Sequence, residues 1–144
     1  MRSGTLPTHQ IAGMGEAFAI AGREGQADQQ RIQGLRDRLI EGLEDLDGIH
    51  LNGAADVSVP NILNLAFTGV DGESLLMALR DIAVSTGSAC NSASVEPSYV
   101  LKEIGVPRQL ALASLRFSLG RFTTEDEIDS TIATLRHALT GLRR

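Results

Sequence analysis

Apolar residues at the start of the chain recur every three or four positions, which is the spacing of one face of a helix. The pattern extends from Leu6 to about Asp47 and places Pro7 in the first turn. The positions that carry it are Ile11, Met14, Phe18, Ile20, Ile32, Leu35, Leu39, Leu43 and Leu46. The stretch from Gly22 to Asp28 is polar and contains two glycines, so we expect a bend or a break in the helix there.

Beyond Gly48 the pattern changes to short strands that alternate with helices. The turn signal Asn52-Gly53 follows the first strand, and Pro60 and Gly69 bound the second. Predicted strands are Ile49 to Leu51, Asn61 to Phe67, Ile82 to Ser85 and Ser114 to Leu119. Predicted helices are Asp71 to Asp81, Ser98 to Ile104, Gln109 to Ala113, and a last one that starts after Thr124. We therefore expect an α/β fold with a small, partly antiparallel sheet that helices cover on at least one face.

The last helix has a clear start signal. Thr124 is the expected N-cap, and Glu127 lies three residues further on, as in a capping box. Acidic residues at Glu125, Asp126 and Glu127 also suit the positive end of the helix.

Composition narrows the function classes. The chain has 144 residues and a formal net charge of -5, with 3% aromatic residues and no Trp, which argues against nucleic-acid binding. No apolar run approaches the roughly 20 residues that span a bilayer. A single cysteine excludes an internal disulfide framework and a multi-cysteine zinc site, and the N-terminus has no secretory signal pattern. A cytoplasmic location is therefore expected.

That single cysteine, Cys90, lies within ten consecutive small, uncharged residues from Ser85 to Ser94. Such a run predicts a loop, where a thiol is exposed and able to react. The alternative is a small buried cysteine, the commoner state of a lone intracellular cysteine. A buried cysteine is expected within an apolar periodic segment, so the loop composition favours a reactive thiol.

Two further residues have both a functional and an ordinary interpretation. Arg116 interrupts an apolar strand, where it is either a solvated side chain on the exposed face or a bidentate clamp for a carboxylate. Thr5 precedes a helix, where it is either the N-cap or a ligand for a phosphate oxygen. His9, His50 and His137 lack metal-ligand spacing.

Three segments are informative when they are taken together and in order: Arg2 to Pro7, Ser88 to Leu101 and Leu115 to Thr123. They resemble the iron–sulfur-cluster (IscS/NifS) class of cysteine desulfurases. The resemblance implies the small C-terminal domain of a fold-type I pyridoxal-phosphate enzyme. Residues 1–47 would be the end of the large-domain segment and a long connecting helix, and residues 48–144 the small domain with the cysteine loop.

The resemblance also implies roles for the candidate residues. Cys90 would be the nucleophile that takes sulfur from L-cysteine as a persulfide, gives L-alanine, and passes sulfur to acceptors for iron–sulfur clusters and other thio-cofactors. Arg116 would bind the substrate carboxylate, and Thr5 the phosphate of pyridoxal 5'-phosphate across a homodimer. The loop after Cys90 would be long enough to reach a scaffold protein, with which the persulfide would share a transient [2Fe–2S] contact.

The number and position of the lysines limit the desulfurase activity expected of this chain. Lys102 is the only lysine, and it lies twelve residues past Cys90 on a predicted surface helix. It cannot replace the family's Schiff-base lysine, which belongs to a domain absent from these 144 residues. We therefore expect the chain to be inactive alone; the alternative is a non-catalytic persulfide acceptor or a docking module for scaffold proteins.

Overall fold

The computed structural model describes residues 4–54, 57–86 and 96–143. Its helices are α1 (Thr8–Glu41), α2 (Gly72–Ala78), α3 (Tyr99–Glu103), α4 (Arg108–Leu112) and α5 (Glu125–Leu142). Its strands are β1 (Ile49–Leu51), β2 (Ile62–Phe67), β3 (Ser85–Thr86) and β4 (Ser114–Ser118). The expected α/β class is confirmed. The predicted loop from residue 87 onward, with Cys90, lies outside the described residues.

The four strands form one sheet in the order β1-β2-β4-β3. Every pairing among these strands is antiparallel, so the sheet is more regular than the partly antiparallel one expected from the pattern. The central pair is β2 with β4, in which Leu65 lies opposite Leu115. This register brings residues that are about 50 positions apart in the chain side by side.

One face of the sheet packs against helices and forms the core. The alternating residues Leu63, Leu65 and Phe67 of β2 are buried there. Their core partners on β4 and the helices include Leu39, Leu75, Leu115, Phe117, Leu135 and Leu139. Because α1, α2 and α5 all supply buried leucines, the C-terminal part of α1 is packed into the same core as the sheet.

Helix α1 is one continuous helix of 34 residues, so a break between Gly22 and Asp28 is wrong, while a bend there stays a prediction. An exposed glycine costs a helix only about 1 kcal/mol, and a Cβ at Gly22 or Gly25 would meet nothing within 4 Å. Contacts from elsewhere in the fold also hold this stretch, because Arg121 forms ion pairs with both Glu24 and Asp28. Tertiary contacts thus outweigh the local propensity.

A second contact between α1 and the end of β4 uses Arg31. Its guanidinium donates hydrogen bonds to the backbone oxygens of Gly120, Arg121 and Thr123, at 3.1, 2.5 and 2.7 Å. These three carbonyls belong to the turn that follows β4, so Arg31 ties that turn to the helix.

Three element boundaries differ by at least three residues from the sequence prediction, and one of them is the end of α2, which lies at Ala78 rather than at Asp81. Helix α1 ends at Glu41 rather than near Asp47, and Gly48 adopts a φ of +73° immediately before β1. Strand β3 is Ser85–Thr86 rather than Ile82 to Ser85. The reason is that Ile82 packs against the core and its N–H donates to the carbonyl of Leu79, which closes the turn after α2.

The start of α5 matches its prediction. Thr124 Oγ1 accepts from the N–H of Glu127 at 3.3 Å, and Glu127 Oε2 accepts from the N–H of Thr124 at 2.8 Å. The capping box is therefore complete.

Replacing Thr124 by alanine should lower the free energy of unfolding by about 1 kcal/mol, because one helix N–H loses its acceptor. The measurement is urea denaturation of the chain followed by circular dichroism. Thr134→Ala is the matched control, since Thr134 lies within the same helix and only donates to the carbonyl of Ser130. Equal losses in the two variants would contradict a specific role of the cap.

Candidate functional site

The face of the sheet opposite the core carries polar side chains. Ala66 and Ser114 lie at the end of this face nearest α4 and are fully buried. Further along, Asn64 is half-buried and Arg116 and Ser118 are exposed. The alternation predicted for β4 is confirmed, because Leu115 and Phe117 face the core while Arg116 faces away from it.

Arg116 lies in the middle of this open face. Asn64 of β2 is directly opposite it on one side, and Ser85 of β3 is directly opposite it on the other. Arg116 Nη2 donates to Ser85 Oγ at 3.4 Å. Side chains at directly opposite positions have Cβ atoms about 5 Å apart, so the three form one row across the sheet.

Arg116 differs in its contacts from the arginines of this fold that form ion pairs. Arg38 binds Asp129 and Arg136 binds Asp45, and these contacts hold the pKa of each carboxyl below its ordinary value. No carboxylate of the described residues lies within ion-pair distance of Arg116. Its guanidinium is therefore held by a neutral hydroxyl and remains available to bind an anion.

A chain of hydrogen bonds leads into this row from its β1 side. Ser114 Oγ donates to the carbonyl of Leu110 at 2.7 Å. Asn52 Nδ2 donates to Ser114 Oγ at 2.9 Å and to Asn64 Oδ1 at 2.7 Å. This series of hydrogen bonds therefore begins at a backbone carbonyl of α4 and ends at the side chain of Asn64.

Thr5 lies far from this row in the chain and in the fold. Helix α1 begins at Thr8 with Pro7 as its N-cap, so the interpretation of Thr5 as the N-cap is wrong. Ile32, the first core residue of α1, comes 24 residues after Thr8, which is about 36 Å of helix. Within one copy of this chain, the structure thus does not bring Thr5 and Arg116 together.

The segment that carries Cys90 begins next to Arg116. Ser85 lies opposite Arg116, and Thr86, the last described residue before the segment, lies opposite Leu115. Cys90 follows Thr86 by four residues. The chain therefore enters the cysteine segment beside the guanidinium.

The other residues considered in the sequence are the three histidines and Lys102. His9, His50 and His137 are exposed, and the described part of the chain contains no group of three potential metal ligands. Lys102 is exposed on α3, which confirms its predicted surface position. None of the described helices is long and apolar enough to cross a bilayer.

Concave surfaces of the described residues lie elsewhere. A pocket of about 670 Å³ lies between the C-terminal end of β2 and α4, and one of about 440 Å³ lies beside α5. Neither Thr5 nor Arg116 lines them. Among the described residues, Arg116 therefore lies on an exposed surface of the sheet.

Sequence reasoning missed the residues that flank Arg116. Alternation alone would have placed Asn64 on the polar face of β2. Its position opposite Arg116 depends on the register of two strands that are far apart in the chain, which no local pattern shows.

Comparisons with known proteins point in one direction. Residues 1–131 match the model of the family described as aminotransferase class-V. Over 143 residues the chain is 58% identical to cysteine desulfurase IscS of Klebsiella pneumoniae (strain 342) and 59% identical to that of Serratia proteamaculans (strain 568). Each alignment covers 99% of this chain but 35% of the relative, so the chain spans about a third of their length.

A solved structure described as a NifS-like protein has the same fold. It superposes with a TM-score of 0.83 at 31% identity, covering 98% of this chain and 36% of that one. The small sheet and its helices therefore occur as one part of a longer chain in that structure.

Proposed function

Because the chain belongs to the class-V aminotransferase family and corresponds to the C-terminal portion of its IscS/NifS cysteine desulfurases, we propose that it carries the sulfur-accepting and carboxylate-binding residues of such an enzyme. The observation that carries the proposal is Arg116, an exposed guanidinium without a carboxylate partner among the described residues, beside the start of the segment with Cys90. The substrate is L-cysteine, whose carboxylate a guanidinium can bind in a bidentate manner.

Cys90 accepts the sulfur. Its thiolate attacks the sulfur atom of L-cysteine, and a new S–S bond forms as the bond between that sulfur and the β-carbon breaks. The electron pair of the broken bond stays with the carbon skeleton, which takes up a proton and leaves as L-alanine. Cys90 then carries a persulfide that a second protein can accept.

Arg116 orients the substrate for this attack. A substrate carboxylate on Arg116 lies beside Ser85, from which the chain runs four more residues past Thr86 to Cys90. Four residues span at most about 14 Å when extended, so the thiol is tethered near the substrate. This arrangement makes the attack effectively intramolecular, which lowers its entropic cost.

Pyridoxal 5'-phosphate, on which the family depends, would supply an electron sink that labilises the bond to sulfur. This chain offers one contact for it. Thr5 is exposed and does not cap α1, so its hydroxyl is able to donate to a phosphate oxygen. The exposed position of Lys102 on α3 supports the view that the cofactor-binding lysine comes from outside these residues.

Assembly with a second copy is part of the proposal. Thr5 lies just before the N-terminal half of α1 (residues 8–24), and α1 begins about 36 Å of helix before its first core residue, so Thr5 reaches a site other than that of its own Arg116. The same half exposes apolar side chains, with Met14 58% and Phe18 74% exposed, as expected of a surface that another polypeptide covers. We infer that this chain is part of a longer protein that also contains the lysine-bearing part, and a homodimer of that longer protein meets both requirements.

We also propose that the persulfide sulfur passes to acceptor proteins, one of which is a scaffold protein for iron–sulfur clusters. The proposed location is the cytoplasm.

Without the lysine-bearing part, the chain by itself should not turn over L-cysteine. It could still carry sulfur on Cys90 as a non-catalytic acceptor. Purified chain that binds no pyridoxal phosphate but takes up sulfur from a separate desulfurase would favour that second function.

The test of the proposal is Arg116→Gln in the longer protein that contains this chain. Each hydrogen bond to a charged group is worth about 1.5–3 kcal/mol, so losing a bidentate pair should raise the KM for L-cysteine about 100-fold. Alanine release is the measurement. The KM of Arg116→Lys should lie between those of the unmodified protein and Arg116→Gln, since an ammonium keeps the charge but not the bidentate geometry of the guanidinium.

Arg23→Gln is the matched control, because Arg23 is exposed on α1 and only pairs with Glu16 at 3.3 Å. It should leave the KM unchanged. An unchanged KM in Arg116→Gln would remove the residue from the substrate site and with it the main structural support for this function.

A further inference from the structure

We propose that Asn64 is a second donor for the carboxylate that Arg116 binds, and that Asn52 and Ser114 hold it in the orientation required. This inference rests on the proposed function, because it assumes that the substrate carboxylate lies at Arg116. It adds a residue that determines specificity for substrates with a carboxylate. The argument comes from the direction of the hydrogen bonds and from the register of the sheet.

The direction of the hydrogen bonds starts at the carbonyl of Leu110, which can only accept. Ser114 Oγ lies 2.7 Å from it, so the hydroxyl must use its single proton on that bond. The group of Asn52 that lies 2.9 Å from Ser114 Oγ must therefore be the donor, which is its Nδ2. The amide orientation of Asn52 thus follows from a backbone carbonyl.

The same logic sets the orientation of Asn64. Asn52 Nδ2 also lies 2.7 Å from the amide of Asn64 and donates to it, so the atom that accepts must be Asn64 Oδ1. This leaves the Nδ2 group of Asn64, with two N–H donors, to bind something else. In the described part of the chain nothing accepts from that group.

The register then places this donor group beside Arg116. Asn64 and Arg116 are direct cross-strand partners on the open face, with Cβ atoms about 5 Å apart. Ser85 binds the guanidinium from the opposite side at 3.4 Å, so both neighbours of Arg116 are neutral and polar. A carboxylate that binds the guanidinium in a bidentate manner still has lone pairs on both oxygens, and an amide donor at this spacing can bind one of them.

The contacts among the described residues use the oxygen of the Asn64 amide and not its nitrogen. The core is on the other face of the sheet, where Leu63 and Leu65 are buried. Asn64 is half-buried, and its oxygen alone is needed to satisfy Asn52. An aspartate would satisfy Asn52 equally well, so an amide at this position adds donors rather than an acceptor.

The experiment compares two inhibitors of the longer protein that contains this chain. L-Alanine carries the carboxylate, and ethylamine is the same molecule without it. Asn64→Leu should raise the inhibition constant of L-alanine about tenfold, because one hydrogen bond to a charged group is lost, and should change that of ethylamine less than about twofold. The KM for L-cysteine should rise with the constant for L-alanine, while kcat changes less.

Asn64→Asp is a second variant that keeps the test decisive if Asn64→Leu does not fold, since its carboxylate still accepts from Asn52. It should weaken the binding of L-alanine more than Asn64→Leu does, because it replaces hydrogen-bond donors with a negative charge. Asn52→Ala should give a smaller loss with the same dependence on the carboxylate. Asn61→Leu is the matched control, an exposed asparagine immediately before β2, and should change neither constant.

The outcomes separate this inference from the function on which it rests. If Arg116→Gln weakens L-alanine and the Asn64 variants do not, Asn64 has no role in binding and the proposed function stands. If the Asn64 variants weaken L-alanine and ethylamine equally, their effect is structural and the inference is wrong. If Arg116→Gln changes the inhibition constants of L-alanine and ethylamine by the same factor, or changes neither, the proposed function fails, and the role of Asn64 fails with it.

Discussion

Replacing Cys90 by alanine in the longer protein is expected to reduce L-cysteine-dependent alanine release by at least about 1,000-fold. The reason is that no other thiol in this chain can attack the substrate sulfur, and loss of a covalent nucleophile removes the reaction path rather than weakening one contact. The KM should change little, because the proposed function assigns carboxylate binding to Arg116. Alanine and sulfide release under a thiol reductant are the measurements.

A direct assay of the sulfur on Cys90 complements the rate. After incubation with L-cysteine, mass spectrometry of the peptide that contains Cys90 should show one added sulfur in the unmodified protein and none in Cys90→Ala. Arg116→Gln is the matched control, since it retains the thiol and should still form the persulfide at high L-cysteine. Alanine release at the normal rate from Cys90→Ala would show that Cys90 is not the nucleophile.

The second large effect concerns stability. Leu39→Ala should lower the free energy of unfolding of the chain by about 3 kcal/mol, because Leu39 is only 1% exposed and its removal leaves a cavity where α1 meets the core. In urea, the midpoint should fall while the slope of the free energy with denaturant stays the same. A change in slope would mean that α1 separates from the rest of the fold.

Leu6→Ala tests the same chemical change at a position that is 61% exposed, and should cost less than about 0.5 kcal/mol. If the two variants lost equal stability, α1 would not be anchored to the sheet through its C-terminal part. The N-terminal half of α1 would then not be held in place by packing of the C-terminal half against the core.

Short-range features of the fold were predictable because their causes are local. The capping box at Thr124 depends on residues within one turn, and it forms as expected. The alternation in β4 depends only on the pleat of a strand, and it places Arg116 on the open face. Lys102 lies on the surface of its helix, as predicted.

Predictions failed where distant residues compete with local preference. The glycines at 22 and 25 suggest a break, but Arg121, almost a hundred residues later, pairs with Glu24 and Asp28 and the helix continues. Strand β3 begins three residues later than its apolar run because Ile82 packs into the core. Thr5 has the right residue type for an N-cap, but the helix starts at Thr8.

The sequence by itself determined the α/β class, most helices and strands, and the residues Cys90, Arg116 and Thr5 as candidates for chemistry. Each of these depends on residue type, on spacing within a few residues, or on a motif that resembles a known class. Only the tertiary structure decided that Asn64 and Ser85 flank Arg116, and that Asn52 orients the amide of Asn64. The physical reason is that strand register is set by the packing of the whole core, in which a shift of one residue would turn every one of these side chains to the other face.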